Sequence, residues 1–169
     1  MKRIAFGFLV VLTLISCNQN EKDSSKTKNE SEPMQTVLQQ GIITKESTKS
    51  FEETYNKLIE VINNNPNLKI VAELDHQANA ASVGLDLRPT RIVMFGNPKL
   101  GTPLMQNSQS TGLDLPQKIM VWQDVENIVR VSYNNPDYLQ QRHRITENQE
   151  VLHKIGAALG KITSVACGQ

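Results

Sequence analysis

Two short apolar segments separated by a tight turn constrain the fold of this chain more than any other feature. The segment QKIMVWQD begins at Gln117, the segment NIVRVSY ends at Tyr133, and VEN lies at the turn. Runs of β-branched and aromatic residues bounded by turn residues are typical of paired strands, so the pattern predicts a β-hairpin. A hairpin pairs its strands antiparallel, so we expect a mostly antiparallel sheet.

Helical and strand patterns alternate before this hairpin. GIITKEST, LKIVAELD and TRIVMFG predict three strands, and the last is apolar enough to lie centrally in the sheet. Between the first two, Ser50 and Glu53 form a capping box at the start of a helix. Apolar residues then recur three and four positions apart, which predicts a half-buried helix with the stripe Phe51, Tyr55, Leu58, Ile59 and Ile62.

Helices are also expected around and after the hairpin. HQANAASVG predicts a short helix, and NPDYLQQRH begins with Asn and Pro in the order typical of a helix start. A last helix is predicted to begin near Thr146, with Gln149 completing a second capping box. Helices interleaved with antiparallel strands indicate an α+β fold, a two-layer α/β sandwich with helices packed on one face of the sheet.

The first residues predict a bacterial lipoprotein signal. Lys2 and Arg3 precede an apolar run that is too short to span about 30 Å of hydrocarbon at about 1.5 Å per residue. The run ends in LISC, which resembles a lipobox, and this implies cleavage before Cys17 and its acylation with chains such as palmitate. The alternative is an ordinary signal peptide in which Cys17 is a coincidence.

The composition of the following segment predicts a tether to the membrane. Residues 17–40 carry the lipidated Cys17 and are rich in Asn, Ser, Lys and Glu, so they cannot bury enough apolar surface to fold. We therefore divide the chain into a signal peptide at 1–16, the tether at 17–40, and one domain at 41–169. Asn18 replaces the aspartate associated with inner-membrane retention, which favours anchoring in the outer membrane of the cell envelope.

Charge and cysteine content exclude several classes of function. The chain has 18 basic and 17 acidic residues, and removal of Lys2 and Arg3 leaves 16 basic ones. Without a basic stripe, nucleic acid is not an expected partner. Cys167 is the remaining cysteine, so no disulfide within the domain is expected, and we interpret it as a tail residue.

The loop FGNPKLGTPLM has the glycine spacing of a phosphate-binding loop but lacks its chemistry. Thr102 follows Gly101 where that motif needs a lysine, and Pro98 removes a backbone N–H donor. The loop is better interpreted as the end of a strand at Phe95 followed by a helix that Asn97 caps.

The segments ELDHQANAASVGLDLRPTRIVMFGNPKLGTPLM, LDLPQKIMVW and VSYNNPDYL resemble the domain-of-unknown-function family 302 (DUF302). The resemblance spans residues 41 to 159 in order and spacing. It implies a compact two-layer α/β fold, and it implies no activity because none is established for the family. The polar residues that match the family pattern are Asp75, His76, Arg88, Asn97, Lys99, Thr102, Asp114 and Tyr133.

Each ligand-pocket candidate among these residues has a structural alternative. His76 either acts as a general acid or base, or it packs or hydrogen-bonds structurally while Asp75 caps the following helix. Arg88 either grips an anion or pairs with Asp86 or Asp114. Lys99, beside Asn97 at a helix start, either supplies charge to an anion site or is solvated.

Neither a metal nor a cofactor is expected. The sequence has no CxxC, no HxxxH and no carboxylate cluster at ligand spacing, and its histidines and methionines are scattered. No serine lies in a nucleophile elbow motif.

Three hypotheses remain open. The first is a non-catalytic domain that binds a small anionic ligand or an envelope protein. The second is a hydrolase or isomerase that uses His76 as a base, with Arg88 or Lys99 holding an anionic substrate. The third is a structural module that forms a homodimer.

Overall fold

A computed structural model of the chain describes residues 41–169, so the predicted signal peptide, Cys17 and the predicted tether lie outside the described residues. The elements in chain order are β1 Ile42–Glu46, α1 Phe51–Asn63, β2 Lys69–Asp75, α2 His76–Ser82, β3 Thr90–Gly96, α3 Pro98–Asn107, a 3-10 turn at Gln109–Leu113, β4 Gln117–Gln123, β5 Val129–Asn134, α4 Pro136–His143 and α5 Gln149–Cys167. None of these helices is long and apolar enough to cross a membrane.

The five strands form one antiparallel sheet in the order β1-β5-β4-β3-β2. The predicted hairpin is confirmed, because β4 and β5 pair with Gln123 opposite Val129. The strand TRIVMFG is interior as predicted, with β2 on one side and β4 on the other. The middle position belongs to β4, because β5 and β1 extend the sheet beyond it.

The helices and the sheet form two layers around one core. Alternation along β4 and β5 directs Ile119, Val121, Val131 and Tyr133 toward one face of the sheet. These residues belong to the same buried cluster as Leu58 and Ile62 of α1 and Leu159 and Ile162 of α5. The predicted α+β fold, with helices packed on one face of a mostly antiparallel sheet, is confirmed.

Local helix signals predicted most helix starts. Ser50 and Glu53 form the expected capping box at α1. Asn97 caps α3 and Asn135 caps α4, and a proline follows each of them. In each case a side-chain oxygen accepts a backbone N–H of the first turn, which has no partner within the helix.

The predicted start of the last helix is wrong. Helix α5 begins at Gln149 after Asn148, which has φ of 61° and no side-chain capping bond. The predicted capping box is absent, because the Thr146 N–H that would donate to the Gln149 side chain donates instead to Asn107 Oδ1 over 3.0 Å. The interpretation of Cys167 as a tail residue is also wrong, since it is the fully buried last residue of α5.

Candidate functional site

A cavity of about 320 Å³ lies where the start of β2, the end of β3 and the start of β4 meet α3 and α5. Its walls are mainly apolar side chains from these elements, with Lys69, Asn97, Thr102 and Gln117 as the polar ones. The apolar walls include Leu68, Val71, Phe95, Leu100, Met105, Leu115, Ile155, Leu159 and Ile162. A concave apolar site with a few polar groups is the usual form of a small-molecule site.

The start of α3 forms one side of this cavity, and Asn97 caps this helix as the loop FGNPKLGTPLM predicts. Asn97 Oδ1 accepts the Lys99 N–H over 2.9 Å, and the Asn97 carbonyl accepts from Leu100 N–H over 2.9 Å and from Gly101 N–H over 3.0 Å. Pro98 has no N–H. The donors of this helix start therefore already have acceptors, and the loop does not form a bare anion cradle.

Gln117 is the unusual polar residue of the cavity wall. It is the first residue of β4 and shares the helix-covered face with Ile119 and Val121, so only 7% of its surface is exposed. Its Nε2 is buried and has no hydrogen-bond partner in the described part of the chain. A buried donor without an acceptor lowers the stability of the folded protein by about 1–3 kcal/mol. A ligand that supplied an acceptor to this amide would therefore gain affinity.

Asp75 and His76 lie at the other end of the sheet. Asp75 caps α2 through the Ala78 N–H at 2.9 Å and accepts Arg91 Nε at 2.8 Å. The Ala78 N–H, with the Arg91 guanidinium, holds the pKa of the Asp75 carboxyl below its ordinary value. The capping interpretation of Asp75 is therefore satisfied without any chemistry. His76 is the first residue of α2 and is half-buried.

Arg88 and Lys99 do not lie beside one another. Arg88 is exposed in the loop before β3 and has no ion pair within residues 41–169, neither with Asp86 nor with Asp114. Lys99 is exposed in the first turn of α3.

The antiparallel register separates the predicted residues into two groups. Asp75 is opposite Arg91 and Lys69 is opposite Gly96, so β2 and β3 place Asp75 and Asn97 at opposite ends. Strands of this length extend about 20 Å at about 3.3 Å per residue. Asn97 is the one ligand-pocket candidate that lines the cavity, together with Thr102 of the wider family pattern, and whether Asp75, His76 or Arg88 contacts a ligand stays a prediction.

Asp114 lies apart from both groups, in a buried cluster between the 3-10 turn and α4. Its Oδ2 is 2.5 Å from His143 Nε2, and its Oδ1 is 3.3 Å from Arg142 Nη1. The other ring nitrogen, His143 Nδ1, is 2.9 Å from Ser110 Oγ. The sequence analysis missed Ser110 because it belongs to no recognised motif. It missed Arg142 and His143 as partners of Asp114 because they lie far from Asp114 along the chain.

Metal-ligating groups are scattered in the part of the chain that the structure describes. Residues 41–169 contain no group of three or more His, Cys, Asp or Glu side chains placed to hold an ion. Cys167 is buried, and burial raises the pKa of its thiol. A raised pKa reduces the thiolate fraction and therefore its reactivity.

Comparisons of the chain with known sequences are consistent with the resemblance. The profile of the family described as "Domain of unknown function DUF302" matches residues 43–162. "Fluoride-specific ion channel FluC 1" of Brucella suis biovar 1 (strain 1330) is 34% identical over 137 residues, which are 80% of this chain and 54% of that protein. The protein of the same description from Brucella abortus biovar 1 (strain 9-941) is also 34% identical, with 50% of it covered. The chain therefore spans about half the length of the curated relatives it matches.

A solved structure shares the fold. It is described as "Crystal structure of uncharacterized conserved protein DUF302 from Bacillus stearothermophilus", and it superposes with a TM-score of 0.66 at 19% sequence identity. The superposition covers 76% of this chain and 98% of that one. Because nearly all of that chain is matched, the fold occurs there without a further domain in the crystallised chain.

Proposed function

The chain belongs to the family of domains of unknown function DUF302, and on that premise we propose that residues 41–169 bind a small, mainly apolar molecule that carries a hydrogen-bond acceptor. The observation that carries this proposal is Gln117, a residue of the apolar cavity wall whose buried Nε2 is a donor without an acceptor in the described part of the chain. A carbonyl or carboxylate oxygen of the ligand would satisfy that donor, and its hydrocarbon part would contact the apolar walls.

The cavity's size and rim narrow the class of ligand. A volume of about 320 Å³ lies at the lower end of the range for ligand sites, about 300–1,000 Å³, and favours a short molecule. Lys69 is the cation of the wall; it is exposed and has no ion pair within residues 41–169. We therefore favour a short-chain carboxylic acid over a cationic ligand. The expectation of an anionic ligand thus rests on Lys69 instead of Arg88 and Lys99.

The cavity binds its ligand without chemistry in this proposal. Its lining contains no His, Cys, Asp or Glu that could act as a base or carry a proton. A partner protein that inserts one apolar side chain is the alternative occupant, and it would compete with the acid for the same walls.

The test is a binding titration with a series of straight-chain acids from butanoic to dodecanoic acid, measured by displacement of a fluorescent apolar dye from residues 41–169. We expect the affinity to rise with chain length until the cavity is full and then to stop rising. The Gln117→Leu variant should bind about fivefold more weakly, since a hydrogen bond contributes about 1 kcal/mol.

A matched pair of variants separates the cavity from the protein surface. Ala158 lines the cavity, and Ala157 is its exposed neighbour on α5 outside the lining. Ala158→Phe should abolish displacement by filling the cavity, and Ala157→Phe should leave it unchanged. Equal binding by the two variants, or no displacement by any acid, would contradict the proposal.

The Brucella relatives suggest fluoride as a control anion for the same titration. Their description names fluoride, and this chain covers about half of each. We propose that the shared part is a binding domain and assign no ion conduction to it. Fluoride should not displace the dye, because a small, strongly hydrated anion gains nothing from apolar walls.

We also propose that Cys17 is acylated and anchors the domain to the cell envelope, most simply in the outer membrane. The support is the sequence LISC after an apolar run, followed by the polar residues 18–33.

A further inference from the structure

The cluster of Ser110, His143 and Asp114 has the connectivity of a nucleophile, a base and an orienting acid. Ser110 Oγ lies 2.9 Å from His143 Nδ1, and His143 Nε2 lies 2.5 Å from Asp114 Oδ2. Both distances are within hydrogen-bond reach. The imidazole is turned relative to the common hydrolase arrangement, in which Nδ1 faces the acid and Nε2 faces the serine.

The hydrogen bonds determine which nitrogen carries the proton. A carboxylate has only acceptors, so His143 Nε2 donates to Asp114, and in the neutral imidazole this leaves a lone pair on Nδ1. Nδ1 can then accept only the hydroxyl proton of Ser110, which is the arrangement that general-base catalysis requires. Arg142 Nη1 lies 3.3 Å from Asp114 Oδ1 and balances the charge of the carboxylate.

The base and the acid of this cluster are buried, whereas the serine is exposed, as a nucleophile that meets a substrate has to be. The side chains of His143 and Asp114 are 3% and 10% exposed, so water competes little for their hydrogen bond. Ser110 is exposed on the 3-10 turn, where a substrate could reach its oxygen. Beside this turn runs a shallow groove lined by Thr102, Met105, Gln106 and Gln109.

We propose that Ser110 is an activated nucleophile that accepts the acyl group of small carboxylic esters. This inference is independent of the proposed cavity ligand. Met105 and the aliphatic stems of the two glutamines make the groove suitable for a short acyl chain. His143 acts as the base, and Asp114 is a positioning residue because it acts through His143.

The steps conserve atoms and charge. Ser110 Oγ attacks the ester carbonyl carbon while His143 Nδ1 takes the hydroxyl proton. The C–O bond to the alcohol then breaks and an acyl ester of Ser110 remains. An alkoxide leaving group takes the proton from His143, whereas a stable anion departs without it and His143 releases the proton to water. Water, activated by the same nitrogen, attacks that ester and releases the carboxylic acid and the free serine.

The test is incubation of the full-length chain, in mild detergent, with p-nitrophenyl acetate. We expect release of p-nitrophenolate and a mass increase of one acetyl group on the peptide that contains Ser110. Ser110→Ala should abolish both, and because Ser110 is exposed this variant should fold normally. Ser82→Ala is the matched control, since Ser82 is an exposed serine on α2 whose hydroxyl donates to the Asn79 carbonyl, and it should react like the unmodified chain.

Two further variants test the base and its orientation. His143→Gln and Asp114→Asn should slow acetylation of Ser110 about a hundredfold, since general-base catalysis contributes at least that much. If either buried variant fails to fold, the rates of alkylation by iodoacetamide are compared for two cysteine variants instead. The new thiol of Ser110→Cys should be alkylated about tenfold faster than that of Ser82→Cys. Acetylation confined to lysines, equal phenolate release from Ser110→Ala, or equal alkylation of the two cysteine variants would overturn the proposal.

Discussion

At the scale of single residues, Asp75 connects two elements through one carboxylate. It caps α2 through the Ala78 N–H and pairs with Arg91 of β3. Arg91 in turn contacts Glu52 and lies over the rings of Phe51 and Tyr55 of α1. A change at Asp75 therefore affects the helix start and the contact between β3 and α1 together.

We predict that Asp75→Ala lowers the free energy of unfolding by about 1 kcal/mol, the usual cost of a lost cap. Asp75→Asn keeps a capping oxygen and should cost less. Because the pKa of Asp75 is lowered by folding, its stabilisation is present above the unfolded value and is lost as pH falls through the folded pKa. Urea denaturation from neutral to acidic pH measures this difference.

The control for this prediction is Asp86→Asn. Asp86 is exposed in the loop before β3 and forms no ion pair within residues 41–169. Its substitution should leave the stability unchanged at every pH. If the Asp75→Asn deficit stayed constant down to acidic pH, the ion pair with Arg91 would not be its cause.

Residue roles were predictable where the partner is local in sequence. Asp75 and Asn97 cap helices as their positions indicate, because a cap contacts an N–H two or three residues away. The partners of Asp114 were not predictable, since His143 reaches it only after α4 packs against the 3-10 turn. The unpaired donor of Gln117 was not predictable for the same reason, because its burial depends on the packing of α3 and α5 against the sheet.

At the scale of elements, the β4–β5 hairpin depends on the conformation of its turn. Asp124 Oδ1 accepts the N–H groups of Glu126 and Ile128, and Asp124 Oδ2 pairs with Arg130. Asn127 has φ of 63°, the left-handed conformation that Asn adopts more readily than most residues.

We predict that Asn127→Val destabilises the domain by about 1–2 kcal/mol, because a β-branched residue resists positive φ. Asn127→Gly should be neutral or slightly stabilising for the same reason. The midpoint of urea denaturation gives both values. Glu126→Val is the matched control, since its φ is not positive and an exposed substitution there should change stability by less than about 0.5 kcal/mol. Equal losses at the two positions would show that strain at Asn127 is not the cause.

Element types were predictable, and the error at α5 shows the limit. Thr146 and Gln149 have capping-box spacing, yet Asn107 takes the Thr146 N–H from another part of the chain. A tertiary hydrogen bond can therefore override a local capping signal, and the local sequence pattern does not reveal that bond.

At the scale of the whole molecule, the proposed acylation of Cys17 would determine whether the domain is anchored to a membrane. We predict that Cys17→Ser leaves unprocessed precursor and removes the protein from the detergent phase in phase-separation assays, because the acylated sulfur and the new amine at Cys17 would be lost. Metabolic labelling with a palmitate analogue measures acylation directly. Ser16→Ala is the control, because alanine is also small and should still be processed. A Cys17→Ser protein that is still acylated and cleaved would contradict the anchor.

The two edge strands of the sheet, β2 and β1, are poor templates for pairing with another chain. The register of β2 against β3 shifts between Ile70 and Ala72, which leaves Val71 as an extra residue in the edge strand. Lys69 and Glu73 add charge to the same edge, and Lys45 and Glu46 end the opposite edge strand, β1. An irregular, charged border resists the addition of further strands. Copies of this domain crowded together on a surface should therefore stay separate and not polymerise into filaments through their sheets.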